Sequence, residues 1–330
     1  MPLNGKTVLV TGGTGSFGKA FLNIAFTRYK PEKLIVFSRD ELKQHELQSA
    51  MLKDGDEDTP LRFFIGDVRD RNRLNRSMKG VDIVIHAAAL KQIPACEYNP
   101  FEAIQTNIIG TRNVIDAAID RGVEKVVALS TDKAVNPVNL YGASKLCAEK
   151  LVVQGNAYSN REETLLCSVR YGNVMGTRGS VVPIFKRQRA SGTVTVTDPR
   201  MTRFWLSLED GVDVVIKSLK IMRGGEVFVP KIPSIRITNL VEAIAPDCRI
   251  DTIGIRDGEK IHEMLISVDE ARNALEFDDH YTIESSFNRW RSDPAVKAKP
   301  VADGFSYQSD TNARWLSVDE LREMIEAAGD

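Results

Sequence analysis

Between Ser130 and Lys145 the chain reads STDKAVNPVNLYGASK. Tyr141 and Lys145 stand four apart, on one face of any helix that contains them. A lysine beside a tyrosine favours the phenolate, and a phenolate can take a hydroxyl proton while hydride leaves the same carbon. Just upstream, Thr131, Asp132 and Lys133 add a hydroxyl, an acid and a second base. The five side chains together suit oxidation of a sugar carbon followed by loss of water. The plainer alternative for Asp132 and Lys133 is an ion pair on a surface loop.

Hydride chemistry needs a carrier, and the first βα junction offers a place for one. Thr11-Gly12-Gly13-Thr14-Gly15-Ser16-Phe17-Gly18 follows an apolar run and opens a helix. Glycines at 12, 15 and 18 permit a tight turn, bring backbone close to a pyrophosphate and leave helix N–H groups facing it. Ser16 and Phe17 fall in the same turn. The second strand ends in Phe37-Ser38-Arg39-Asp40. A hydroxyl and a guanidinium there match the 2′-phosphate of NADP better than the ribose of NAD. Asp40 is open to two readings, ribose ligand or helix N-cap. Asp67, with Val68, ends the third strand where a carboxylate can accept from the adenine amino group, or can cap a turn. Ala87 belongs to the small-residue run after His86, where backbone can pass close to the cofactor, and His86 itself reads as structural.

These residues must be carried by regular elements, and the first half alternates short apolar runs with amphipathic stretches. Strands are expected at Thr7–Thr11, Lys33–Ser38, Leu61–Gly66, Val81–His86, Lys125–Ser130 and Leu165–Tyr171. Helices are expected at Phe17–Arg28, Glu41–Leu52, Asp70–Met78, through Pro100 to Arg121, and from Tyr141 to about Tyr158. Apolar strands separated by crossover helices make the fold class α/β, a Rossmann-like doubly wound parallel sheet. Beyond Asn173 the rhythm breaks into strand-like pieces (Thr193–Thr197, Glu226–Val229, Arg236–Thr238) and helices (Val181–Ala190, Glu209–Ile221, Asn239–Ala245, Glu259–Leu265). The expectation is an NADP-binding Rossmann domain over 1–172 and a smaller C-terminal mixed α/β substrate-binding lobe over 173–330. Their boundary is soft, and the chain is free to cross back.

Composition narrows the partners. Net charge is −1 with 27% charged residues, so no overall field selects nucleic acid or an anionic membrane. No apolar run approaches the ~20 residues of a membrane span, and no signal-like N-terminus is seen, which makes cytoplasm the default. The four cysteines are widely spaced and the four histidines scattered, so buried thiols are expected and no metal site.

The glycine turn, the Ser-Thr-Asp-Lys run and the Tyr-x-x-x-Lys pair resemble the extended short-chain dehydrogenases/reductases. More narrowly, the chain resembles the inverting UDP-N-acetylglucosamine 4,6-dehydratases that open pseudaminic acid synthesis. The matching segments are TGGTGSFGK (11–19), SRDELKQ (38–44), FFIGDVRD (63–70), HAAALK (86–91), STDKAVNPVNLYGASK (130–145), RYGNVMGTRGSV (170–181), MTRFW (201–205) and GIRDGEKIHE (254–263). The resemblance implies that Thr131 lies near the substrate hydroxyl and that Tyr141 deprotonates the sugar 4-hydroxyl as hydride passes to NADP. Lys133 would then remove the C5 proton and Asp132 would protonate the departing 6-hydroxyl. Retaining relatives usually carry Asp-Glu where this chain has Asp132-Lys133, and inversion at C5 is likewise implied. A lysine base needs a depressed pKa, from Lys145, desolvation or bound cofactor.

For substrate, UDP-N-acetylglucosamine by the resemblance, the candidates are Lys91, Asn173, Arg178, Thr197, Arg203, Arg256 and Glu259. Guanidinium forks at 178, 203 and 256 match diphosphate oxygens. Asn173 offers an amide to a diphosphate or sugar oxygen, and Thr197 a hydroxyl to uracil or ribose. Lys91 sits where the family contacts cofactor and substrate, and Lys145 bonds the nicotinamide ribose. Arg256-Asp257-Gly258-Glu259 resembles the family's Arg-Pro-Gly-Glu, with Asp257 in place of proline. A homo-oligomer is expected from the family. The competing activities are a retaining 4,6-dehydratase and a UDP-sugar 4-epimerase, which needs Thr131, Tyr141 and Lys145 but has no use for Asp132 and Lys133.

Overall fold

The computed structural model describes residues 1–52, 59–159, 164–177, 179–285 and 298–327. Runs such as TVLVT and KLIVFS are β-branched or aromatic on both faces, so each can form a strand covered on both sides. The first half supplies β1 (Thr7–Thr11), β2 (Lys33–Ser38), β3 (Leu61–Ile65), β4 (Ile83–His86), β5 (Lys125–Thr131) and β6 (Leu165–Tyr171). They lie in the order β6-β5-β4-β1-β2-β3, and every pairing is parallel. The order reverses beside β1, which opens a crevice at the carboxyl ends of the strands.

Helices α1 (Ser16–Arg28), α2 (Glu41–Met51), α3 (Arg71–Ser77), α4 (Ile93–Tyr98), α5 (Pro100–Ile104), α6 (Gly110–Asp120) and α7 (Leu140–Gly155) connect these strands. One apolar layer packs Phe21 and Leu22 of α1 against Val8, Val10, Leu34 and Val36. The other packs Val114, Ala117 and Ala118 of α6 and Val152 of α7 against Leu9, Ile35, Val84 and Val126. The expected single helix from Pro100 to Arg121 is instead interrupted by a π-helical turn at Gln105–Ile109. Its buried Asn107 donates to Leu90 O (2.9 Å) and to Ser144 Oγ (2.9 Å), tying this turn to the loop after β4 and to α7.

The second half adds β7 (Asn173–Val174), α8 (Val181–Arg189), β8 (Thr193–Val196), β9 (Thr202–Leu206), α9 (Leu208–Ile221) and β10 (Val227–Pro230). Then follow β11 (Ser234–Arg236), α10 (Ile237–Ile244), β12 (Arg249–Thr252), β13 (Met264–Ile266) and α11 (Val268–Ala271). The remaining elements are β14 (Ala274–Glu276), β15 (His280–Ile283), β16 (Lys299–Pro300), β17 (Tyr307–Gln308) and α12 (Val318–Ala327). Strands β10, β15, β14 and β16 extend the main sheet beyond β6, and β10 pairs parallel with β6. The other late strands form small separate sheets; β8, β9 and β11 contribute to a third apolar cluster that includes Trp205, Ile235, Leu240 and Leu321, while Ile266 of β13 and Tyr307 of β17 join the first cluster.

Two expected elements differ. The strand expected at Arg236–Thr238 ends at Arg236, where α10 begins. The helix expected at Glu259–Leu265 is a turn running into β13, because β13 pairs with β17, Glu263 N donates to Ser309 Oγ and Ser309 N donates to Glu263 O. Those partners are distant in sequence, and local periodicity carries no trace of them.

Candidate active site

The glycine turn is shaped by close approach. Gly12 has φ +67°, and a Cβ there would lie 2.9 Å from the backbone of Ala88. A Cβ on Gly18 would lie 2.5 Å from Gly13 Cα, so helix α1 can start against the turn only with glycine. Gly15 occupies the N-cap of α1 and makes no side-chain cap, leaving first-turn N–H groups for an anion. A cleft of ≈ 200 Å³ opens here, lined by Gly12, Gly15, Ser38, Arg39, Asp67, Val68 and Ala87 among others. Phe17 instead stacks on Phe21, at 6.2 Å between ring centroids. Ser38 shares a hydrogen bond with Thr14 (2.8 Å), while Asp40 accepts from Lys43 N as the N-cap of α2. The Arg39 guanidinium is half exposed, 3.6 Å from Asp67. Thr106, which sequence reasoning passed over, also lines this cleft, and its buried hydroxyl has no hydrogen-bond partner.

His86 is buried between two threonines, its Nδ1 2.7 Å from Thr11 Oγ1 and its Nε2 3.0 Å from Thr111 Oγ1. Burial, and then the Lys145 charge, lower its pKa to about 3. The ring is a neutral strut at the end of β4.

The Ser-Thr-Asp-Lys run sits where β5 ends in a 3₁₀ turn, Asp132–Ala134. Helix α7 starts beside it. Asn139 caps α7 by accepting from Gly142 N (2.7 Å) and donates to Gly258 O (2.7 Å). A Cβ on Gly142 would lie 2.2 Å from Lys133 O. Glycine at 142 therefore sets how closely the helix bearing Tyr141 approaches the turn bearing Lys133.

Asp132 is fully buried and accepts from Thr131 Oγ1 (2.8 Å) and Lys133 Nζ (3.0 Å), while its Oδ2 has no hydrogen-bond partner. The surface ion pair is thus replaced by a buried one. Lys133 also lies 3.4 Å from Glu263 Oε1. Burial works against its charge, but the two carboxylates prevail and hold its pKa above the ordinary lysine value. The depressed lysine expected from sequence is not found, because Asp132, and after it Glu263, outweigh the effect of burial. Tyr141 is pushed up to about 12 by burial, with Lys133 and the Thr131 hydroxyl pulling it down and Asp132 raising it. Lys145 donates to Leu129 O (2.6 Å), and burial lowers its pKa to about 8.

The substrate candidates fall into three groups. Arg203 reaches the centre, but its guanidinium donates to Thr202 O, Ile261 O and Lys260 O, with Nε 4.0 Å from Glu263. Lys91, exposed after β4, borders the centre: desolvation, and then the nearby Lys133 charge, lower its pKa. Arg256 is exposed on a turn that Glu259 closes by accepting from Arg256 N (3.3 Å). Gly258, in the same turn, contacts the cap of α7. Asn173 lies on β7 beside Trp205 of β9, its side-chain oxygen buried without a hydrogen-bond partner, and Thr197 donates to Met201 Sδ (3.1 Å). Arg178 lies outside the described residues. Sequence reasoning missed Glu263 and Lys260. Both lie in the GEKIHE segment, but their role depends on contacts with a turn more than 120 residues earlier.

A glycine-capped dinucleotide cleft at the switch point of a parallel sheet, with Tyr141 and Lys145 on the helix after β5, defines an NAD(P)-binding extended short-chain dehydrogenase/reductase. The chain belongs to the family described as polysaccharide biosynthesis protein, whose model matches residues 8–285. It is 51% identical to the UDP-N-acetylglucosamine 4,6-dehydratase (inverting) of Campylobacter jejuni, over 98% of each chain. It is 41% identical to a UDP-glucose 4-epimerase of Rickettsia canadensis, over 97% of this chain and 95% of that one. Among solved structures, Pen from Bacillus thuringiensis matches with TM-score 0.89 and 40% identity, covering 99% of this chain and 100% of that one.

Proposed function

We propose that this chain is a C5-inverting UDP-N-acetylglucosamine 4,6-dehydratase that works through bound NADP. The observation that carries the reading is the buried Asp132–Lys133 pair beside Tyr141, in a chain 51% identical throughout to an enzyme of that name. Residues 1–172 would hold the cofactor and residues 173–330 most of the sugar nucleotide. Gly12, Gly15, Ser16 and Gly18 would cradle the pyrophosphate, Ser38 and Arg39 the 2′-phosphate, and Asp67 the adenine. Bound NADP would accept hydride from sugar C4 and later return it to C6.

Within the chain, Tyr141 takes the 4-hydroxyl proton, and Thr131 orients that hydroxyl. The new ketone acidifies the C5 proton. Lys133 and Asp132 begin as an ammonium and a carboxylate 3.0 Å apart. Moving one proton from Nζ to Oδ1 makes a free amine and a carboxylic acid, the base and acid that elimination requires. Desolvation of the pair by bound substrate favours this neutral form over two buried charges. The amine then takes the C5 proton and the acid protonates the departing 6-hydroxyl, which restores the ion pair; when hydride is returned to C6, a proton returns to C5 and completes the 4-keto product.

No helix among the described residues is long and apolar enough to cross a membrane, which is consistent with a cytoplasmic enzyme. Tyr98 and Phe101, 88% and 79% exposed at the α4–α5 corner, support a homo-oligomer. The epimerase-named relative favours a second reading, 4-epimerisation, in which Asp132 and Lys133 are bystanders. Incubation with UDP-N-acetylglucosamine in D₂O, read by mass spectrometry and proton NMR, separates the two. A product that has lost water, is deuterated at C5 and has the L-arabino configuration supports the dehydratase. An isomer of unchanged composition, epimeric at C4, refutes it.

A further inference from the structure

Glu263 is buried, at 3% exposure, yet it is held differently from the other buried glutamates. Glu149 accepts from Ser130 Oγ (2.7 Å) and from Arg170, and Glu226 accepts from the Arg223 and Gly224 backbone N–H groups (2.6 and 2.9 Å). Those are carboxylates satisfied by hydrogen bonds, as structural ones must be. Glu263 Oε2, by contrast, is buried with no hydrogen-bond partner. What surrounds Glu263 is charge: Lys133 Nζ 3.4 Å from Oε1, Lys260 Nζ 3.9 Å from Oε2 and Arg203 Nε 4.0 Å from Oε1. Lys260 is itself anchored to Val135 O (2.6 Å), and Arg203 to three backbone carbonyls. Two fixed cations thus pin an anion whose third charged neighbour is Lys133, itself bonded to Asp132.

We propose that Glu263 is a positioning residue for the reaction: it fixes the place of the Lys133 amine and stabilises the positive charge that gathers there when the C5 proton arrives. Its consequence for turnover rests on the dehydratase reading. Lys133 faces Asp132 on its own turn, Tyr141 from α7, Glu263 from the segment before β13, Arg203 from β9, Lys91 after β4, and Lys260 from the turn after β12. Only Asp132 and Glu263 among these are anions, and Asp132 must surrender its negative charge to act as an acid. That leaves Glu263 as the counter-charge throughout elimination.

The direct test needs no turnover. The ligand-free protein is treated briefly with acetic anhydride at one fixed pH. Acetylation of Lys133 is then read by peptide mass spectrometry against the exposed Lys79. Loss of one adjacent carboxylate in Glu263→Gln should raise the free-amine fraction, and so the labelling rate, by about tenfold or more, since 3.4 Å is close enough to act even through bulk-water screening. Glu263→Asp, which keeps the charge, should label close to the wild-type rate. Equal labelling in all three proteins, or equal acceleration in Gln and Asp variants, would overturn the proposal by reducing Glu263 to a packing role. If Lys133 labelling shifts as expected but UDP-N-acetylglucosamine loses no water with wild-type protein, the positioning stands and the substrate reading fails.

Discussion

Alanine at Gly142 probes the geometry of the centre without removing a polar group. The new Cβ would stand 2.2 Å from Lys133 O and 3.1 Å from Pro137 Cβ. Carbon–oxygen contacts settle near about 3.3 Å, so the start of α7 and the Asp132–Ala134 turn must part by about 1 Å. Tyr141 precedes the substituted residue and Lys133 bears the opposing carbonyl, so the displacement falls on the Tyr141–Lys133 separation. A misplacement of about 1 Å costs roughly 100-fold in rate. Stability should change far less, because a helix-propensity gain of at most ~1 kcal/mol offsets an overpacking cost of ~1–3 kcal/mol. Initial rates of water loss and urea denaturation, measured on the same preparation, should show a large activity loss with a melt shifted by no more than ~2 kcal/mol. Activity within threefold of wild type would refute the claim that close approach of helix and turn sets the geometry.

Three further outcomes follow from named contacts. Arg170→Met leaves Glu149 and Glu270 facing each other in the interior where Arg170 bridges them at 1% side-chain exposure, and should cost about 3–5 kcal/mol in urea unfolding; a loss under about 1 kcal/mol would show the triad to be dispensable. Arg39→Ala should weaken NADP binding about 10- to 100-fold and leave NAD binding nearly unchanged, read by titration calorimetry, as loss of a charge-assisted bond to the 2′-phosphate requires. Burial raises Tyr141 to about 12, so in cofactor-free protein its phenolate should form only above the ordinary tyrosine range, seen as the difference absorbance between wild type and Tyr141→Phe. With the phenolate as the base proposed above, the rate of C4 oxidation should rise with pH, and a cationic nicotinamide should bring the midpoint down; a cofactor-free midpoint at or below 10 would contradict the burial argument.

Much of the architecture is local and therefore legible. Strands Thr7–Thr11 and Lys33–Ser38 have the expected ends, because doubly buried strands announce themselves as near-continuous apolar runs; Leu165–Tyr171 has them too, although Ser168 and Arg170 break its run. The glycine turn is legible for the same reason, since each glycine answers a steric demand within one motif. The π-turn at Gln105–Ile109 was hidden, because its buried Asn107 serves Leu90 and Ser144 rather than its own helix. Glu263 was hidden more deeply. Its segment was legible as a motif, but the carboxylate becomes part of the centre only when β13 folds against β17 and brings it to Lys133. With Asp132, that contact raises the Lys133 pKa against the direction expected, since burial alone lowers a lysine and two nearby carboxylates raise it.

The central claim is that Asp132 and Lys133 add elimination to a hydride-transfer scaffold. Lys133→Ala, loaded with NADP and mixed with UDP-N-acetylglucosamine, tests it in one experiment that follows reduced-nicotinamide absorbance and water loss together. The account predicts that reduced cofactor accumulates, more slowly than the wild-type oxidation step because the Lys133 charge no longer favours the Tyr141 phenolate, while water loss falls at least about 100-fold, because no base remains for C5. Water loss near the wild-type rate would contradict it.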